Sequence, residues 1–227
     1  MVPYFPVYLF DIDGTLVDSA PDICAAIQAT LLRAGRTGVS DEFLRSYIGR
    51  HLVDVFQDLF PERQSDYMDA LISDYRKIYP ARNHCGTQLY PGVLEALQLL
   101  GGRKSTATTK GTPTARAVLE KFGLASFFDH VQGTDGFPAK PNPDVIFAAL
   151  NALDASPEDC LFVGDSTADM EAARRAGVKA CAVTYGYGKR ADLAQWEPDF
   201  WISDLRELLG DQRLAGASET NKSMKLS

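Results

Sequence analysis

The chain has 227 residues, 23 Lys plus Arg against 30 Asp plus Glu, and a formal charge of −7. Apolar residues make up 45% and charged residues 23%, an ordinary globular composition that excludes disordered, collagen-like and disulfide-scaffold classes. The length suits one large domain or one domain carrying a smaller insert, while the acidic balance and the lack of a Lys/Arg run argue against nucleic acid as a partner.

Val7-Tyr8-Leu9-Phe10 is a continuous apolar run ending at Asp11, the pattern of a strand buried on both faces. From Ser19 to about Tyr79 the pattern changes. Ile23, Ala26, Ile27, Thr30 and Leu31 recur at helical spacing, and three more stripes follow, around Phe43–Ile48, Leu52–Leu59 and Met68–Tyr79. Four consecutive helices with no strand between them read as a small bundle inserted into something else. After Tyr90 the pattern alternates. Helices are expected over Pro91–Leu100, Pro113–Phe122, Pro143–Leu153, Ala168–Ala176 and Ser203–Leu209. Strands are expected over Lys104–Thr108, His130–Gln132, Cys160–Gly164, Val178–Val183 and Phe200–Ile202. Such alternation predicts an α/β fold, a Rossmann-like parallel sheet with helices on both faces. The expected division is a core of residues 1–18 and 87–210, a helical cap of residues 19–86, and a mobile tail over the polar, aperiodic residues 211–227. The four cysteines form no CxxC pair, so buried structural thiols are expected. The N-terminus lacks a basic segment and a cleavage site, and no apolar run approaches membrane-spanning length; a cytoplasmic protein with no membrane partner is the expectation.

In an open parallel sheet, reactive groups gather outside the carboxyl ends of the strands. Just past the expected strands stand Asp11-Ile12-Asp13-Gly14-Thr15, then Thr108-Thr109-Lys110, then Gly164-Asp165 with Asp169 four residues on; Lys140 precedes the 143–153 helix. Several carboxylates on one crevice repel one another, and a divalent cation is their natural neutraliser. An oxygen-rich set without imidazole suits Mg²⁺ rather than zinc. Lys110-Gly111-Thr112 looks like the end of a phosphate-binding loop, but the preceding glycine spacing is missing, and an ATP site is rejected.

The ordered set Asp11-Ile12-Asp13-Gly14-Thr15, Thr108, Lys140 and Gly164-Asp165-Ser166-Thr167-Ala168-Asp169 resembles the four motifs of the haloacid dehalogenase-like hydrolases. Asp18-Ser19-Ala20-Pro21-Asp22 and Tyr185-Gly186-Tyr187-Gly188 resemble the phosphoglycolate phosphatase-like group within that superfamily. The resemblance implies that Asp11 is the nucleophile forming an aspartyl-phosphate, and that Asp13 is the general acid and base. It further implies that Asp11, the Asp13 carbonyl, Asp165 and Asp169 hold or anchor Mg²⁺. Thr108 and Thr109 would donate to the phosphoryl group, and Lys140 would neutralise its charge. The substrate would be a small phosphorylated metabolite such as 2-phosphoglycolate, with Arg50, in the Ile48-Gly49-Arg50-His51 segment of the insert, pairing its carboxylate. A homodimer stays open beside a monomer.

Asp13 favours phosphoryl transfer over carbon–halogen cleavage, which needs no second Asp. A sugar-phosphate mutase or an inorganic pyrophosphatase would share the core motifs, and both remain as alternatives. A silent binding protein would have lost Asp11 or Asp13. The strand before Thr108 is unusually polar, Arg103-Lys104-Ser105-Thr106, which leaves Thr109 as an alternative donor.

Overall fold

The computed structural model describes residues 1–210; the tail expected over 211–227 lies outside the described residues. β1 (Val7–Phe10) opens a five-stranded parallel sheet. The chain then passes through β2 (Val17–Asp18) into four helices, α1 (Ala20–Arg33), α2 (Asp41–Arg45), α3 (Leu52–Leu59) and α4 (Ser65–Ala81). It returns through β3 (Gln88–Leu89), which pairs antiparallel with β2. Then follow α5 (Val93–Leu99), β4 (Arg103–Thr106), α6 (Thr112–Lys121), α7 (Asp144–Ala152), β5 (Cys160–Gly164), α8 (Thr167–Ala176), β6 (Lys179–Val183), α9 (Arg190–Ala194) and β7 (Phe200–Ile202). The sheet runs β4-β1-β5-β6-β7.

β1 reads as an unbroken apolar run because both of its faces are covered. Tyr8 and Phe10 pack into one cluster with Leu97, Leu119 and Leu205, while Val7 and Leu9 pack into another with Ile146, Leu150 and Met170. Alternate side chains of one strand thus feed two cores. The helical insert has a third cluster of its own around Ile27, Leu31, Leu44 and Phe56.

β4 is one of the two edge strands, and among the described residues its free side meets no further strand, only an isolated bridge from Ser105 to His130. The strand expected over His130–Gln132 is therefore absent. The Thr106 hydroxyl takes the place of a ladder, accepting from the Gln132 N–H and donating to the Gln132 carbonyl, each at 2.9 Å. Lys104 is buried, its ammonium bonding the Gly102 carbonyl at 3.0 Å. The helix expected over Ser203–Leu209 is instead a 3-10 turn, Leu205–Leu209, capped by Asp204. Cys24, Cys160 and Cys181 are buried free thiols, and Cys85 is exposed. Among the described residues, no helix is long and apolar enough to cross a membrane.

Candidate active site

Three adjacent strands deliver the site. Phe10 lies opposite Thr106 on one side and Val163 on the other. With strands about 4.8 Å apart, the residues that follow them converge: Asp11 after β1, Asp165 after β5, and Thr108 just past β4. The backbone pins Asp11 in place, its N–H donating to the Val163 carbonyl at 2.9 Å.

The loop after Asp11 turns sharply, with the N–H groups of Leu16 and Val17 both returning to the Ile12 carbonyl. Gly14 makes the turn at φ +84°, and a Cβ there would overlap the Asp165 carboxylate. Only glycine meets both demands. Gly186 is needed for a related reason: its Cβ would run into Asp165. Here Tyr187 donates its N–H to Asp165 Oδ2 at 2.7 Å, while its hydroxyl bonds Asp18 Oδ1 at 2.9 Å and accepts from the N–H groups of Ser19 and Ala20. One residue thereby ties the acidic crevice to the start of α1.

At the centre, Lys140 is buried with its ammonium 2.5 Å from Asp169 Oδ1, 2.9 Å from the Ala107 carbonyl and 3.1 Å from Asp11 Oδ1. The contact to Asp11 is an ion pair without hydrogen-bond geometry, so Asp11 Oδ1 is a buried oxygen with no hydrogen-bond partner among the described residues. Asp169 differs. Its Oδ2 accepts from the N–H groups of Asp165 and Ser166 and from the Ser166 hydroxyl, at 3.1, 2.8 and 2.7 Å. This reciprocal cap starts α8 and occupies Asp169 on both oxygens.

Oxygens of Asp11, Asp165 and Asp169 lie within 4.8 Å of one another. Three carboxylates against the single Lys140 ammonium leave an excess of negative charge. Burial, then the charges of Asp169 and Asp13, push Asp11 up to about 6 against the pull of Lys140. Burial likewise raises Asp165 well above the usual carboxylate range, with Asp169 and Asp11 adding to it. The all-oxygen donor set, the Asp11 oxygen that accepts no hydrogen bond and the raised carboxylates fit a hard divalent cation.

Asp13 lines a cavity of about 490 Å³ between the sheet and the insert. One of its oxygens takes the Ser19 hydroxyl, and the other lies 2.8 Å from the Lys110 ammonium. Thr108 is fully buried and its hydroxyl accepts from the Lys110 N–H at 3.3 Å. Thr109 lines the cavity. The first N–H of α6 is already taken by Asp135, at 2.9 Å. Arg50 also lines the cavity but is exposed, its guanidinium 5.2 Å from the centre of the Tyr47 ring. The fold thus gathers Asp11, Lys140, Asp165 and Asp169 tightly, sets Asp13, Thr108 and Thr109 beside them, and leaves Arg50 at the rim.

Sequence reasoning quoted Lys110, Ser19 and Tyr187 within its motifs and Tyr79 within a helical stripe, but gave none of them a role in the site. Lys110 stands next to the second motif, and that position was its one available signal. Its partner Tyr79 comes from α4, with the hydroxyl 3.1 Å from the ammonium.

Residues 8–183 match the haloacid dehalogenase-like hydrolase family. The chain is 35% identical over 214 residues to phosphoglycolate phosphatase 1 of Pseudomonas aeruginosa, covering 88% of this chain and 77% of that protein. It is 32% identical over 207 residues to the phosphoglycolate phosphatase of Aquifex aeolicus, covering 89% and 94%. Among solved structures, a haloacid dehalogenase-like family hydrolase from Streptococcus pneumoniae superposes with a TM-score of 0.82 at 30% identity, over 90% of this chain and 97% of that one.

Proposed function

The chain belongs to the haloacid dehalogenase-like hydrolase family, and from that premise we propose that it is a cytoplasmic, Mg²⁺-dependent phosphatase of small phosphomonoesters, 2-phosphoglycolate foremost. The names of the two relatives support the substrate. The observation that carries the chemistry is the pairing of a buried Asp11 oxygen free of hydrogen bonds with a second carboxylate, Asp13, lining the cavity.

Asp11 attacks phosphorus, the bond to the leaving oxygen breaks, and Asp13 gives that oxygen its proton. Asp13 then takes a proton from water as the water oxygen attacks phosphorus; the bond to Asp11 breaks and inorganic phosphate leaves. Lys140 balances the charge shared by Asp11 and the phosphoryl oxygens, and Thr108 and Thr109 donate to those oxygens. Asp11, Asp165 and the Asp13 carbonyl would hold Mg²⁺, which when bound supplies positive charge to the transferring group. Asp169, with both oxygens occupied, anchors Lys140 and the Asp165 turn. In this reading residues 1–18 and 87–210 are the catalytic core, and residues 19–86 are a cap that walls the cavity.

Phosphate release from a panel of phosphomonoesters, with and without Mg²⁺, tests the proposal. Release should depend on Mg²⁺ and fall by about 10⁴-fold or more in Asp11→Asn. No release from any ester, together with phosphoryl migration within a sugar phosphate, would mark a mutase.

A further inference from the structure

Among the described residues, Lys110 is the one cation paired with Asp13. Its side chain is only 9% exposed, yet it lines the cavity. An ammonium has three protons to donate. One faces Asp13 Oδ2 at 2.8 Å and one the Tyr79 hydroxyl at 3.1 Å, with the Tyr79 ring centre 4.7 Å away. The third has no acceptor among the described residues. Tyr79 is itself held in place, buried and stacked on Tyr75 with the rings 10° from parallel. The ammonium is thus rigidly presented rather than waving on a flexible stem.

We propose that Lys110 is the specificity-determining residue of the site: its ammonium receives the carboxylate of an O-phosphorylated 2-hydroxy acid. The proposal rests on the phosphatase reading above. To take a proton from Asp13, the leaving oxygen must lie within hydrogen-bond reach of the Asp13 carboxyl. In a phosphorylated 2-hydroxy acid, one carbon separates that oxygen from the carboxylate. A cation adjoining Asp13 is therefore where the carboxylate of so short an acid arrives. Arg50 and Arg76 offer two further cations in the same cavity, but both are exposed on the insert. A charge pair formed at the shielded ammonium is weakened less by solvent than one formed at the rim. A longer acid would carry its carboxylate past Lys110 and lose the contact.

The test compares kcat/KM for 2-phosphoglycolate and for ethyl phosphate, which has the same carbon count without the carboxylate. The Mg²⁺-loaded wild type is measured beside Lys110→Met, Tyr79→Phe and Arg50→Ala. The ratio of the two kcat/KM values should fall about 30-fold in Lys110→Met, mostly through KM for the acid, as loss of a charged hydrogen bond implies. Tyr79→Phe should lower it in the same direction by less, and Arg50→Ala by less than about threefold. A Lys110→Met ratio within threefold of wild type, or a collapse of the ratio in Arg50→Ala instead, overturns the proposal. Should Lys110→Met fail to fold, the wild-type ratio decides: a value near one overturns the proposal, and a strong preference for the acid that weakens in Tyr79→Phe supports it. Release from neither ester by folded, Mg²⁺-loaded wild type overturns the phosphatase reading itself, whereas release from both without preference overturns only the role of Lys110.

Discussion

Asp11 and Asp22 are both buried carboxylates, one in the crevice above the sheet and one where the helical insert begins, and they are treated oppositely. Asp22 is saturated. It takes the Thr87 hydroxyl at 2.7 Å, the Gly86 N–H at 2.8 Å and the Arg82 guanidinium at 2.9 Å. Burial works against its charge, but these bonds more than offset it and its pKa is lowered. Asp11 has Lys140 beside it and other carboxylates around it, and its pKa is raised. Asp22 accepts hydrogen bonds on both oxygens, whereas Asp11 Oδ1 has the Lys140 ion pair and accepts no hydrogen bond among the described residues.

The largest effect that sharpens this contrast lies in the insert's own apolar core. Phe56→Ala removes a fully buried ring from a cluster separate from those of the sheet and should cost about 3–5 kcal/mol. Hydrogen exchange should accelerate in α1, α3 and α4 while β1 and β5 stay protected. Equal loss in both regions would erase the distinction between them.

Next comes Asp22→Ala, expected to cost about 3 kcal/mol in urea unfolding, since it strips partners from Arg82, Gly86 and Thr87 at once. The folded pKa of Asp22 lies below its unfolded value, so the stability it provides is present above about pH 4 and is lost as pH falls through the folded pKa. The variant should therefore show a flatter acid limb than the wild type.

Asp11 should behave in the reverse sense, by about 3 kcal/mol. Its pKa of about 6 in the metal-free protein exceeds the value of about 3.9 for an unfolded Asp. The folded chain therefore binds the proton more tightly, and stability falls as pH rises from about 4 to about 6. Metal-free Asp11→Asn should accordingly melt above metal-free wild type at pH 7, and added Mg²⁺ should narrow the gap by stabilising the wild type. A variant less stable than wild type under metal-free conditions would mean that Asp11 is satisfied after all.

Much of this was legible from residues alone. The apolar run before Asp11, the alternation after Tyr90 and the separate helical stripes predict the sheet and the insert, because two-sided burial and helical periodicity leave direct marks on sequence. Asp11, Thr108 and Asp165 were legible because each comes just after a strand, while Lys140 and Asp169 were legible from their order in the motif set. What escaped depends on partners distant in sequence or on elements too short for a pattern. β2 and β3 are two residues each, below any periodicity. His130–Gln132 looks like a strand, but the Thr106 hydroxyl takes the Gln132 backbone in place of a ladder. Lys110 next to a motif is an unremarkable loop lysine until α4 brings Tyr79 against it.

The most direct measurement is chemical trapping of Asp11 during turnover. Enzyme quenched in the steady state with Mg²⁺ and 2-phosphoglycolate, then reduced with borohydride, should carry homoserine at position 11, the product of reducing an aspartyl-phosphate. Phosphate released with position 11 unmodified, and the label on another residue or on none, would contradict Asp11 as the nucleophile.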